Sequence, residues 1–101
     1  MAAHAAVLVV DLHFPASQSL KERRAVVRPL VEGARWRFAV SVAETGHHDS
    51  WQRAEVAFAA VGPAVGRVTE ALDAVERFVW SFPELEVLDA TRHWLEVDDR
   101  G

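Results

Sequence analysis

Apolar and polar positions alternate in four places along the chain and recur at helical spacing in two. Residues 4–14 form a valine-rich run ending at Pro15, in which Ala6, Leu8, Val10 and Leu12 share one face and Ala5, Val7, Val9, Asp11 and His13 the other. This predicts a strand with its continuously apolar face turned to a core. Ser19, followed three residues later by Glu22, forms a capping box, so a helix is expected with Ser19 as its N-cap. Leu20, Val27, Leu30, Val31 and Ala34 continue it at spacings that fit a helix. Pro29 and Gly33 interrupt that pattern, the first predicting a kink and the second a local weakening of about 1 kcal/mol relative to alanine.

Two further alternating runs, Phe38–Glu44 and Trp51–Val61, are separated by the polar segment Thr45–Ser50 and read as an antiparallel hairpin. Pro63 suits a first helical position, and Val65, Val68, Leu72, Val75, Val79 and Phe82 then mark a second apolar stripe, closed by Pro83. Leu85–Val97 is the last predicted strand, before a short tail. Leu88, Trp94 and Leu95 cannot share one alternation there unless the strand carries a bulge. The order strand, helix, strand, strand, helix, strand predicts a single α+β domain, a ferredoxin-like βαββαβ sandwich. Its antiparallel sheet runs 4-1-3-2, with both helices on one face and the other face open.

The 101 residues suit one domain, and the absence of cysteine excludes disulfides, thiolate metal sites and cysteine nucleophiles. The N-terminal segment lacks a basic region and its apolar run breaks at Asp11, so neither a signal peptide nor a membrane segment is expected, and a cytoplasmic protein is. Charge is uneven. Lys21, Arg23, Arg24, Arg28, Arg35 and Arg37 stand against two acids between residues 21 and 37, a local +4. The remainder holds five basic and thirteen acidic residues, or −8. A basic helix in an acidic chain points to an anionic partner, with a solvated helix face as the ordinary alternative.

Ser19-Leu-Lys-Glu-Arg-Arg24, together with Val40-Ser-Val-Ala-Glu44 and Trp51-Gln-Arg-Ala54, resembles the YlxP-like family of bacterial proteins, a domain of unknown function (503). The likeness runs from Val7 to about Val97. It implies a ferredoxin-like fold and, through the translation and ribosome-maturation genes among which the family's genes often lie, a role near RNA or the ribosome.

Three groups of residues are candidates for function. The basic set just named would contact phosphates. The open sheet face, with Val7 and Val9 at its centre, predicts a covering surface, a second copy of the chain before nucleic-acid bases. His47, His48, Asp49, Asp11, His13, Glu44, Glu55 and His93 offer metal or acid–base chemistry, but no ligand spacing, phosphate-binding glycine loop or nucleophile elbow accompanies them. No catalytic residue, metal, cofactor or small-molecule substrate is therefore assigned. Of the four tryptophans, Trp36 is the candidate for an exposed contact, while Trp51, Trp80 and Trp94 are expected in the core or an interface. The sequence thus predicts a non-enzymatic binding protein that meets RNA or a ribosomal partner through its first helix. The alternative is a protein–protein module dimerising through the open sheet face.

Overall fold

The computed structural model describes residues 2–95. Its elements are β1 (His4–His13), α1 (Leu20–Arg37), β2 (Ser41–Gly46), β3 (Arg53–Gly62), α2 (Val65–Trp80) and β4 (Glu86–Leu95). The expected continuation of the last strand to Val97 and the tail Asp98–Gly101 lie outside the described residues. The strands form one antiparallel sheet in the order β2-β3-β1-β4, the expected order read from its other edge.

The period of two decides which side of the sheet is covered. Ala6, Leu8, Val10 and Leu12 of β1 and Ala54, Val56, Phe58 and Ala60 of β3 are buried, in one cluster with Val27, Leu30 and Ala34 of α1 and Val68, Leu72, Val75 and Val79 of α2. Removing each of the larger side chains from water stabilises the fold by about 1.5–3 kcal/mol. Val65 departs from expectation. It stands in the first turn of α2 and stays exposed.

Ser19 caps α1 as expected, its Oγ accepting the Glu22 N–H at 3.1 Å, while the Glu22 carboxylate reaches back to the N–H of Gln18. The helix runs unbroken through Pro29, which lies on its exposed side. There the Ala25 carbonyl, deprived of its i+4 donor, can be solvated. Gly33 has a packing reason. A Cβ at this position would come within 2.7 Å of Phe78 Cζ, where α1 and α2 approach each other. Phe78 is itself held edge-on by Phe38 (5.6 Å) and Phe82 (5.2 Å). Gly33→Ala should therefore lower stability by about 1–2 kcal/mol through overpacking, despite the roughly 1 kcal/mol helix-propensity gain. A rise in the urea midpoint would show that the Phe78 ring yields freely.

Three boundaries are corrected. Pro63 is not the first helical residue, because Ala64 keeps an extended backbone and serves as the N-cap, its carbonyl accepting from Arg67 and Val68 N–H. The second strand starts at Ser41, because Phe38 caps α1 by donating its N–H to the Ala34 carbonyl. The third starts at Arg53, leaving Trp51 in the hairpin loop. The bulge expected in the last strand is present. Asp11 pairs with Asp89 and Leu12 with Val87, so Leu88 is the extra residue.

None of the four tryptophans is buried. Trp36 is 89% exposed, as its place between arginines suggests. Trp51 is in a loop, and Trp80 lies about 100° round the helix from the buried Val79. Trp94 points to the helix side of the sheet, opposite Ala6, yet remains half-exposed on the edge strand.

Candidate nucleic-acid interface

At 100° per residue, Lys21, Arg24, Arg28 and Arg35 fall within about 60° of one another around α1, and 1.5 Å per residue spreads them over about 21 Å. All four are exposed. Among the described residues no carboxylate lies within ion-pair distance of Lys21, Arg24 or Arg28. These three line a shallow hollow of about 550 Å³ with Ala25, Pro29 and Glu32. A second hollow of about 360 Å³ continues from Arg24 and Arg28 to Arg35 and to Glu44 on β2. Arg35 donates from Nη2 to the Val42 carbonyl at 2.9 Å, and Arg37 lies 4.9 Å over the Phe78 ring. Trp36 projects beside this basic stripe at its C-terminal end.

Arg23 does not belong to that surface. It is 3% exposed and faces inward. Its Nε donates to the Arg53 carbonyl at 2.7 Å, and its Nη2 donates to Glu44 Oε1 and to the His47 carbonyl. One guanidinium thus ties α1 to both arms of the β2–β3 hairpin, and its five donors in a fixed fork suit that task. The expectation that it meets phosphate is corrected on this ground, since its guanidinium is buried and bonded within its own fold.

The polar residues expected to offer acid–base chemistry divide into pairs. On the open face Asp11 Oδ2 accepts from Arg53 Nη2 at 2.6 Å, and His47 Nε2 lies 3.7 Å from Asp11 Oδ1. The hydrogen bond to Asp11 outweighs burial and, with the carboxylate's charge, holds the Arg53 pKa above its ordinary value. His13 stands 3.8 Å from Glu86, Thr45 donates to Glu55 at 2.7 Å, and His48 contacts the Glu44 carbonyl. His93 lies beyond them, opposite Val7. Among the described residues no three His, Asp or Glu side chains converge as metal ligands would. On the helix side, burial opposes the charge on Arg92, but hydrogen bonds to Asp73 (2.7 Å) and Glu76 (3.0 Å) prevail and raise its pKa.

His47 has φ of 60°, a left-handed conformation that histidine tolerates better than branched residues. Its carbonyl serves both Arg23 and the Ser50 N–H. Two of the loop's hydrogen bonds thus pass through the backbone of His47. His47→Gly should leave stability within about 0.5 kcal/mol, while His47→Val should lower it by about 1–2 kcal/mol. Equal losses in a thermal melt would show that the imidazole itself holds the loop.

The rest of the open face is flat and apolar. Val7 and Val9 are half-buried, and a groove of about 160 Å³ runs past Val7, Ser41, Ala43, Ala57 and Ala59. Alanines flank the valines on β3, so the face offers little depth to an aromatic base.

A family model described as "Protein of unknown function (DUF503)" matches residues 5–92, which take in every element from β1 to most of β4. The chain belongs to this family. Among its relatives, the "Uncharacterized protein YlxP" of Bacillus subtilis (strain 168) is 37% identical over 76 residues, covering 75% of this chain and 83% of that protein. The family resemblance read from the Ser19–Arg24 and Val40–Ala54 segments is thereby established. The DUF503 match encloses the whole basic stripe, the Arg23 clamp and the open face. Among the described residues no helix is long and apolar enough to cross a membrane.

Proposed function

We propose that this DUF503 protein is a non-enzymatic binding protein that takes the phosphate backbone of RNA along the outer face of α1. The observation that carries the reading is the alignment of Lys21, Arg24, Arg28 and Arg35 on one exposed stripe, with the first three free of carboxylate partners among the described residues. Phosphates spaced along a strand reward a row of cations, and each neutralised phosphate releases a counterion. Trp36, 89% exposed at the end of the row, supplies a face on which a base can stack. The ribosomal setting rests on the family's resemblance in gene context. Local charge outweighs the total here, because the acids that make the chain −4 are concentrated outside α1.

The test is crosslinking of the protein at its native level, followed by sequencing of bound RNA through washes of rising salt. Ribosomal RNA enriched at low salt and lost in proportion to ionic strength supports the reading. Recovery no greater than that of an acidic control protein of similar size overturns it.

A further inference from the structure

The two edges of the sheet are treated differently. β2 is six residues long, has an irregularity between Glu44 and Gly46, and has its Val42 carbonyl capped by Arg35. β4 is ten residues long (EVLDATRHWL) and contains neither proline nor lysine, two of the residues that guard a free edge. Among the described residues nothing hydrogen-bonds to its outer backbone. Its bulge lies at Leu88, which leaves Asp89–Leu95 in regular pairing with β1. Exposed apolar side chains also gather there, with Leu88, Trp94 and Leu95 all about half-exposed.

We infer that β4 pairs with β4 of a second copy, antiparallel about a two-fold axis at Thr91, to make one continuous eight-stranded sheet. The occupant is specified by the order of polar and apolar side chains along the strand. Pairing about Thr91 sets Asp89 opposite His93 of the second copy, twice by symmetry, on the open face of the sheet. It also sets Thr91 against itself and Leu88 against Trp94. A carboxylate beside an imidazole it can hydrogen-bond, threonine pairs and aliphatic–aromatic pairs are favourable cross-strand neighbours. Shifting the centre by one residue either way separates Asp89 from His93. An isologous contact closes after two copies, so the exposed edge does not propagate into a fibre. This places the homodimer seam at the edge rather than on Val7 and Val9, which their own neighbours already half cover.

Analytical ultracentrifugation of the full chain from 1 to 200 μM at pH 7 tests the arrangement. The expected species has twice the 11.2 kDa chain mass. Asp89→Lys should weaken self-association at least tenfold, and the double change Asp89→Lys with His93→Asp should restore it by reversing the polarity of the same pair. Val9→Glu should leave the mass unchanged. Circular dichroism confirms that each variant is folded, and any that is not is replaced by Asp89→Asn, for which a smaller loss is expected. A monomer throughout, a failure of the double change to recover, or a dimer dissolved by Val9→Glu each overturns the edge pairing.

Discussion

Arg23→Met should destabilise the fold by about 3 kcal/mol, a large share of the 5–15 kcal/mol that holds a typical small domain together. Methionine has nearly the length of arginine and fills most of the space, so the loss comes from the groups left behind. The Glu44 carboxylate would lose its guanidinium, and the Arg53 and His47 carbonyls would lose their side-chain donor. Glu44 is itself about one-quarter exposed, so water repays part of its loss and the figure sits at the low end for a broken buried pair. Arg23→Lys should recover less than half of the deficit, because one ammonium cannot reach three acceptors held by β2, β3 and the loop between them. The checks are urea midpoints at constant m-value. A methionine variant within 1 kcal/mol of wild type would mean that water substitutes for the guanidinium.

The second large effect is on binding. Exchanging Lys21, Arg24 and Arg28 for glutamate should cut the affinity for single-stranded RNA at least tenfold near 0.1 M salt. It should also flatten the slope of log K against log salt by about 2, since each phosphate that is no longer neutralised removes about 0.7. Stability should hardly change, since none of the three is buried or ion-paired among the described residues. The matched control is Arg67→Glu with Arg77→Glu on α2, two exposed arginines away from the stripe. Comparable losses in that control would show that the RNA responds to net charge alone, and the α1 face would lose its claim.

Most of the fold was legible because its signals are local and agree with one another. The strict alternation of β1, the Ser19 cap and the Val68–Val79 stripe each reappear as the element they imply, and together they leave one topology. The misplaced boundaries have a common origin. Phe38, Trp51 and Pro63 each sit where a cap or loop competes with a propensity, and the winner depends on contacts made across the chain. Arg23 was misassigned for a different reason. Counting charge grouped it with its neighbours, although its spacing to Val27, Leu30 and Ala34 follows the buried stripe. Reading phase before charge would have placed it inside. The tryptophans show the limit of hydropathy, since nothing local tells a core position from an overhanging one. The Asp89–His93 relation has no meaning in a single strand and emerges only once β4 is known to be an edge.

The sheet's central strand has one further consequence, for synthesis. β1 pairs along its whole length with β3 and from Ala5 to His13 with β4, where Ala5 lies opposite Leu95. β1 therefore gains its second neighbour only when β4 has also been made, a wait on the order of 10 s at ordinary elongation rates. Until then an intermediate of β1, α1, β2, β3 and α2 exposes one flank of β1, with Val7 and Val9 uncovered on one side and Val10 and Leu12 short of packing on the other. The chain is thus most prone to mispairing while β4 is still missing, and a fragment ending before Glu86 should be recovered in the insoluble fraction far more than the 101-residue chain.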